Sequence, residues 1–367
     1  MRRDYSDELS PEVREKMKKN LVYIAIFSVV MIFAGFTSAY IVSMGDTFWV
    51  KYPLPTGFWM STAVIILSSI FYQLAVKNAQ KEKVSSARLL MLLTLVFGIG
   101  FSVFQFVGYK QLVKEGAAGV SPIFVVDGRY GDYFEINYQG KAIDVNGNEY
   151  LLAGKKMSEV QYAELQNFVK PFETTAELKG YTITALNPAF EIFYQKEKIT
   201  VQGGKLVTVK GLILQYTDMR RLQSLAWNIR DHRGDFFHKG MLGKDFHVFY
   251  KGKELQYKNR ELMLGKRRLS PPLQLKANQT RDLSTSYLYI ITILHLLHIL
   301  GTTIYLIKMV VKSLKARAWS GVTGEEAQEK AKKAYEKYVL SLRLGAIFWH
   351  FLGILWIYLL IFLLYIH

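Results

Sequence analysis

The chain of 367 residues contains no cysteine. Disulfides, c-type haem attachment, thiolate sites for copper or zinc, and cysteine nucleophiles are therefore excluded. Any metal would have to be bound by histidine or carboxylate side chains. Histidine is itself scarce, with seven residues in all, and the eleven methionines are scattered without the Met-His pairing of a copper site.

Acidic residues are in the minority, since 30 Asp and Glu stand against 47 Lys and Arg and give a formal charge of +17. Such an excess suits nucleic acid or anionic lipid, and the positions of the cations decide between them. Here they cluster beside long apolar runs, which favours a membrane protein with no nucleic-acid partner. A mean hydropathy of only +0.10 indicates a water-exposed part as well.

Five apolar stretches are long enough to cross the roughly 30 Å hydrocarbon core of a bilayer, which takes about 20 helical residues. Because no water satisfies backbone groups in lipid, each stretch is predicted to be a helix. They cover approximately residues 21–43, 57–76, 88–110, 286–311 and 342–366. The first follows a polar leader without a small-residue cleavage site, which predicts a retained signal anchor.

Lysine and arginine in the short loops predict the orientation of the spans. The leader and the loops after the second and fourth spans are basic and are expected in the cytoplasm, which places the C-terminus and the long insertion on the outer side of the membrane. The predicted order is leader 1–20, three spans within 21–110, insertion 111–284, fourth span 285–311, cytoplasmic loop 312–341 and fifth span 342–367. Residues 323–340 of the loop carry glutamates before lysines and predict a short amphipathic helix.

Residues 111–284 alternate aromatic and polar side chains between glycine turns, which predicts a mostly β extracytoplasmic domain. A pattern that reads as strand, tight turn and return strand recurs within it, and a looser third copy starts at Phe190. The two clearer copies are Phe134, Ile136, Tyr138, Gly140, Lys141 and Ile143, and Phe246, Val248, Tyr250, Gly252, Lys253 and Leu255. Unrelated hairpins can also give this pattern. Ser158 with Gln161 predicts a capped helix, and residues 222–229 predict another.

The insertion shows no nucleophile elbow, no phosphate loop and no histidine spacing typical of a metal site. His232, His238 and His247 are interpreted as ordinary surface or packing residues. The basic, tyrosine-rich character of the domain suits an acidic partner, although solvated charge is the commoner explanation.

Three histidines lie within the predicted spans. His295 and His298 share one face of the fourth span, and His350 lies in the fifth. Paired imidazoles on facing helices can hold a b-type haem, whereas neutral histidines more often form hydrogen bonds across helices. Gly301 and Thr302, beside the pair, indicate close helix packing and favour the second interpretation.

Short motifs follow one another along the five spans. They are Phe33-Ala34-Gly35 with Ser38-Ala39-Tyr40; Leu54-Pro55 and Phe58-Trp59 before Leu67-Ser68-Ser69; Gly100-Phe101, Phe104-Gln105 and Gly108-Tyr109; His295-Leu296-Leu297-His298 before Gly301; and Trp349-His350-Phe351 before Trp356. On these residues the chain resembles subunit III of the haem-copper cytochrome c oxidases, in its short five-helix bacterial form. The resemblance covers the spans and none of the insertion.

The resemblance implies an all-α transmembrane bundle whose first two helices are splayed from the other three around a lipid-filled cleft. It implies an accessory subunit that stabilises a proton-pumping complex, binds phospholipid and holds no cofactor or metal, because haems and copper belong to subunits I and II. The positions that carry over, as structural or lipid-contact residues and not as catalytic ones, are Tyr40, Trp59, Gln105, His295, His298, Gly301, Trp349, His350 and Trp356.

Two positions depart from the family pattern. Val29 stands where many members carry a glutamate within the membrane, and Gly353 stands where some carry an aspartate. The missing glutamate puts in doubt any proton relay that depends on this carboxylate.

Related subunits occur in quinol oxidases and nitric oxide reductases, and the chain alone does not separate these possibilities. A haem-binding electron carrier and a transporter are the alternatives from other classes, although the odd number of spans and their lack of Asp and Glu argue against a transporter. For the insertion we expect docking of a neighbouring subunit, a cytochrome c domain or a quinol-oxidising complex such as alternative complex III.

Overall fold

The computed structural model describes residues 10–45, 47–124, 126, 127, 130, 133–174, 182, 183, 185–237, 239–258 and 260–366. The chain divides into two compact units. The helical unit comprises Met1–Gly45, Pro53–Gly119 and Leu283–His367, and the β unit comprises Asp46–Tyr52 and Val120–Asp282. His238 lies outside the described residues, so its predicted role stays a prediction.

Eight α-helices occur in the described part of the chain. They are α1 (Pro11–Met44), α2 (Thr56–Gln80), α3 (Val84–Lys114), α4 (Glu159–Val169), α5 (Tyr216–Arg230), α6 (Pro271–Gln279), α7 (Leu283–Lys315) and α8 (Glu325–Tyr365). Helices α1, α2, α3, α7 and α8 belong to the helical unit, and each is long and apolar enough to cross a membrane. The five predicted spans are thereby confirmed as helices of spanning length.

Helix α8 is longer than the sequence analysis predicted. The short helix expected within residues 323–340 is not separate, because α8 continues without a break into the last span. Residues 325–341 contain neither glycine nor proline, so no residue in this stretch interrupts the helical hydrogen bonds. On the exposed first turns an ion pair at 2.6 Å between Glu326 and Lys330, four residues apart, adds support.

Helices α2 and α3 approach each other where two glycines meet. A Cβ added to Gly57 would lie 2.5 Å from the amide nitrogen of Gly108 and 2.8 Å from its Cα. Further along the same contact, the Ser68 hydroxyl donates to the carbonyl of Thr94 at 2.9 Å. Small residues therefore allow the two backbones to pack closely, as is common between helices in lipid.

The five helices are not grouped as two and three, which corrects the expectation from the resemblance. Helices α2, α3, α7 and α8 form one four-helix bundle, and α1 lies against α7 and α8. The described residues therefore form no cleft between an α1–α2 pair and the other three helices. The physical reason is that α8 carries polar side chains whose hydrogen-bond partners are on α2.

The described part of the β unit contains fourteen strands. They are β1 (Phe48–Lys51), β2 (Val126–Asp127), β3 (Phe134–Tyr138), β4 (Lys141–Asn146), β5 (Glu149–Leu152), β6 (Lys155–Lys156), β7 (Phe190–Tyr194), β8 (Glu197–Gln202), β9 (Lys205–Thr208), β10 (Phe236–Phe237), β11 (His247–Tyr250), β12 (Lys253–Lys258), β13 (Glu261–Leu264) and β14 (Arg267–Arg268). One sheet has the order β6-β5-β4-β3-β7-β8-β9, a second has the order β1-β11-β12-β13-β14, and β2 pairs with β10. The prediction of β-sheet in the insertion is confirmed.

The recurring sequence pattern forms three hairpins, namely β3–β4, β7–β8 and β11–β12. Each turns through two residues with positive φ, which is typical of the type I′ turn that fits the twist of a two-residue hairpin. These turn residues are Gln139 and Gly140, Gln195 and Lys196, and Lys251 and Gly252. Each of the three copies, including the looser one, is thus a strand, a turn and a return strand.

The phenylalanines that open the three copies, Phe134, Phe190 and Phe246, are 56 residues apart. We call the copies repeat A (residues 134–169), repeat B (190–225) and repeat C (246–281). Each continues through antiparallel strands into a helix, which is α4, α5 or α6. The predicted capping box begins α4, and the second predicted helix lies within α5.

Repeats A and B join through their first strands, β3 and β7. These strands are antiparallel, so Phe134 lies opposite Tyr194 and Tyr138 lies opposite Phe190, with ring centroids 5.0 Å and 4.8 Å apart. Aromatic pairs of this kind stabilise neighbouring strands. The seven-stranded sheet contributes with α4 and α5 to one continuous hydrophobic core.

Repeat C pairs with a strand that the sequence analysis missed. Its first strand, β11, lies antiparallel to β1, which comes from the segment between the first two spans, and Val50 lies opposite Val248. Residues 48–52 read Phe-Trp-Val-Lys-Tyr, and so repeat the Phe-x-aliphatic-x-Tyr order that opens each repeat. Strand β1 therefore pairs with the first strand of repeat C, as the first strands of repeats A and B pair with each other.

Candidate functional site

His295 on α7 is fully buried within the helical unit. Its Nε2–H donates to the backbone carbonyl of Leu352 on α8 at 3.0 Å, which assigns the ring proton to Nε2. The ring of Phe101 on α3 meets the imidazole edge-on, with centroids 5.7 Å apart. Nδ1 has no hydrogen-bond partner among the described residues. The imidazole therefore joins α7 to α8 through one nitrogen.

Trp356 on α8 packs beside His295, with ring centroids 5.3 Å apart, and is fully buried. Its indole Nε1–H donates to the hydroxyl of Thr62 on α2 at 2.8 Å. Phe58 on α2 and Phe101 on α3 each meet the indole edge-on at 5.5 Å. One side chain of α8 thus contacts all three other helices of the bundle.

Gln105 lies one turn further along α3 than Phe101 and is fully buried. Its amide nitrogen donates to the hydroxyl of Ser61 on α2 at 2.8 Å, and Ser61 donates in turn to the carbonyl of Phe58 at 2.8 Å. A buried polar pair therefore links α2 to α3 next to the aromatic contacts of Trp356.

Trp349 and His350 join α8 to α3 and α2. The ring of Trp349 lies against the backbone of Gly98, where an added Cβ would be 2.8 Å from it. His350 Nε2–H donates to the side-chain carbonyl of Gln73 at 3.1 Å, and Nδ1 accepts from the hydroxyl of Ser69. We call Gln105, His295, Trp349, His350 and Trp356 the interhelical cluster.

The sequence analysis missed the α2 partners of this cluster, which are Thr62, Ser69 and Gln73. Their spacing of seven and then four residues puts them on one face of a helix, so a polar stripe in an apolar span was the available signal. This signal is weak, because single hydroxyls are common in membrane helices, where they bond to their own backbone.

Tyr40 and His298 make contacts of a different kind. Tyr40 on α1 is buried between Tyr287 and Phe362, with ring centroids 5.7 Å and 5.2 Å away. His298 is half-buried and donates from Nδ1 to the carbonyl of Leu294, in its own helix, at 2.7 Å. Tyr40 therefore fastens α1 to the bundle, whereas this bond of His298 joins no other helix.

Trp59 and Gly301 are exposed within this chain. A Cβ added to Gly301 would meet no atom within 4 Å, so the close packing expected there is not made by any described helix of the chain. Val29, which stands where the resemblance leads us to expect a glutamate, is 6% exposed and therefore faces inward. Among the described residues, no three His, Asp or Glu side chains are placed to share a metal ion.

In the described part of the β unit, two ion pairs that the sequence analysis did not anticipate each include a buried aspartate. Lys239 and Asp282 meet at 2.5 Å with both side chains almost wholly inaccessible, and Arg260 contacts the fully buried Asp235 at 2.8 Å. Near the second pair, burial raises the pKa of the Tyr150 hydroxyl well above its usual value. Since Asp282 directly precedes α7, the first pair fixes the point where the chain leaves the β unit.

The two described histidines of the insertion have ordinary partners. His232 follows the end of α5, is exposed and stacks on Tyr162 with centroids 4.2 Å apart. His247 Nδ1 lies 2.6 Å from a carboxylate oxygen of Glu254 on the neighbouring strand. These contacts match the surface and packing roles predicted for both residues.

Charge is distributed unevenly over the three repeats. Repeat C contains nine Lys and Arg against two Glu, whereas repeat A contains three Lys against five Asp and Glu. Two turns of repeat C lie at the same end of its sheet and carry four exposed cations with no carboxylate partner among the described residues, namely Lys251, Lys253, Lys266 and Arg267. In repeat B the positions of Lys253 and Lys266 are occupied by Glu197 and Lys210, which form an ion pair.

Comparison with known proteins finds no match to the chain among family models, curated proteins or solved structures. The resemblance to subunit III therefore depends on the motifs in the spans alone.

Proposed function

We propose that the chain is an accessory, non-redox subunit III of a proton-pumping haem-copper cytochrome c oxidase in a bacterial plasma membrane. It would lie beside subunits I and II, stabilise the complex and bind phospholipid. The N-terminus would be cytoplasmic, with the C-terminus and the β unit in the periplasm.

The observation that carries this proposal is the convergence of the motif residues. Gln105, His295, Trp349, His350 and Trp356 come from motifs on three different spans, and they meet as the contacts that hold four helices together. Motif residues that a family shares are expected to converge in this way if the motifs specify the family's helix bundle. Their roles here are in packing and hydrogen bonding.

The hydrogen bonds of His295 Nε2 and of His350 favour this proposal over a carrier whose haem is bound by these atoms. An axial ligand offers a ring nitrogen to iron, yet Nε2 of His295 is engaged with Leu352 and both nitrogens of His350 are engaged with α2. Binding haem through these atoms would break the hydrogen bond from His295 to Leu352, or those that join His350 to α2.

Purification of the tagged full-length chain from its own membranes in a mild detergent tests the proposal. We expect a haem-bearing, copper-containing partner to copurify, with oxygen consumption driven by reduced cytochrome c. Consumption driven only by quinol, or nitric oxide reduction in its place, would assign the chain to those related complexes. A chain that purifies alone, or that shows a Soret band of its own, would contradict the proposal.

We further propose that the β unit docks an acidic partner through the turn end of repeat C. The three repeats have the same hairpin, so the fold does not require the four unpaired cations there, and opposite charge on a partner would give them a role. Under the oxidase proposal such a partner is a neighbouring subunit, a cytochrome c domain, or a quinol-oxidising complex such as alternative complex III.

Charge reversal in the intact complex tests this docking. Lys253→Glu, Lys266→Glu and Arg267→Glu together should weaken partner copurification, with the largest loss at low salt. Lys141→Glu, Lys155→Glu and Lys156→Glu reverse three cations in repeat A and serve as the matched control. Repeat C would be ruled out as the docking surface if both triple variants lost partner copurification to the same extent, or if neither variant lost it.

A further inference from the structure

A wide pocket opens at the end of the helical unit where α1 and α8 begin and α2 ends. Its volume is about 980 Å³, at the upper limit of the roughly 300–1,000 Å³ typical of small-molecule sites. We call it the basic pocket. It is lined chiefly by residues of α1 and α8, with Gln80 and Glu82 at the end of α2 and Trp319 before α8.

Positive charge dominates the lining of the basic pocket. Six cationic side chains face three glutamates, and the cations are Arg14, Lys18, Lys332, Lys333, Lys337 and Arg343. Arg343 is paired with Glu15 at 3.1 Å, which ties α8 to α1 at the pocket. Lys18, Lys332 and Lys337 have no carboxylate partner among the described residues. An anion bound here would therefore replace water around cations that are still unpaired.

The pocket lies beside the start of two membrane-spanning stretches. Its α1 cations precede the apolar run that begins near residue 21, and its α8 cations precede the run that begins near residue 342. Val339 and Leu340 supply apolar lining on the α8 side. The indole of Trp319 lies 5.3 Å below the ammonium of Lys332, and tryptophan is typical of the membrane interface. Lys18 and Lys337 precede these runs by three and five residues. On a helix this is about 5–8 Å, which matches the thickness of the lipid headgroup region.

We propose that the basic pocket binds the phosphate of an anionic phospholipid, with its acyl chains running toward the apolar parts of α1 and α8. Basic pockets between membrane helices on the cytoplasmic side recognise such headgroups. A soluble phosphate compound presents the same charge but has no apolar part to use Val339 and Leu340. The proposal gives a site to the phospholipid binding that the proposed function includes, and otherwise needs only the membrane assignment. Its failure would leave the copurification test of the oxidase proposal unaffected.

Native mass spectrometry of the delipidated full-length chain tests the site. Phosphatidylglycerol should be retained at least about tenfold better than phosphatidylcholine. Each cation near an anionic headgroup is worth about fivefold in affinity, so Arg14→Gln, Lys18→Gln, Lys332→Gln and Lys337→Gln together should abolish the preference. The double variant Lys18→Gln and Lys337→Gln should reduce the preference for phosphatidylglycerol. It keeps the test informative if the fourfold variant misfolds.

The matched control neutralises four exposed lysines at the same ends of the helices but outside the pocket, namely Lys16, Lys77, Lys312 and Lys315. Retention of the preference in this control supports the site, whereas an equal loss would show general surface attraction and overturn it. Displacement of phosphatidylglycerol by an equal concentration of glycerol 3-phosphate would assign the pocket to soluble phosphates and overturn the lipid.

Discussion

At His295 one nitrogen joins α7 to α8, whereas the bond from Nδ1 of His298, three residues later, stays within α7. His295→Phe should therefore lower the free energy of unfolding of the helical unit by about 0.6–1.7 kcal/mol, from the average to the largest value found for hydrogen bonds between membrane helices. His298→Phe should cost less. Denaturant unfolding in detergent measures both, and an equal or larger loss for His298→Phe would contradict the assigned roles.

Replacement of glycine by alanine is expected to have different effects on stability at two positions of the bundle. Gly57→Ala would place a Cβ against the backbone of Gly108, which cannot move aside as a side chain can, so α2 and α3 must separate at a cost of about 1–3 kcal/mol. Gly301→Ala meets open space, and should be neutral or stabilise α7 by up to about 1 kcal/mol. Thermal unfolding should give a lower midpoint for Gly57→Ala than for the unaltered chain, and an equal or higher midpoint for Gly301→Ala. Equal midpoints would refute the close approach of α2 and α3.

At the scale of elements, β1 decides whether repeat C is complete. Val50 is fully buried opposite Val248, so Val50→Ser removes apolar contact and should destabilise the five-stranded sheet by about 1–3 kcal/mol. Hydrogen exchange should accelerate in β11 and β12 while β3 and β7 keep their protection. The neighbouring Lys51→Gln is the control, since Lys51 is only partly buried. Faster exchange in both sheets would show that the two sheets unfold together.

The sequence did not predict which helices pack against one another. Apolar length predicted where each span lies, because a backbone in lipid has no alternative to the helix. Which helices pack together depends on complementary surfaces such as Gly57 with Gly108, and on polar pairs such as Trp356 with Thr62. Such pairs join residues far apart in the chain, so no local periodicity reports them.

For the whole molecule, the pairing of β1 with β11 constrains topology. The segment between the first two spans and the insertion fold in one unit, so they must lie on the same side of the membrane. The predicted orientation places that side outside. Because the chain has no cysteine, Lys155→Cys and Lys330→Cys each introduce a single label site. A membrane-impermeant thiol reagent should label intact cells that carry Lys155→Cys and not those that carry Lys330→Cys, and the reverse pattern would invert the topology.

The sequence by itself determined the five spanning helices, the hairpins of the three repeats and the capped helix α4. Each follows from interactions within a few residues: a hydrophobic length, two turn residues with positive φ, or a reciprocal hydrogen bond between Ser158 and Gln161. Tertiary structure alone decided that α2 joins the bundle of α3, α7 and α8, and that β1 completes repeat C. These outcomes depend on burial and hydrogen bonding between distant segments, whose energies exist only once the chain has folded.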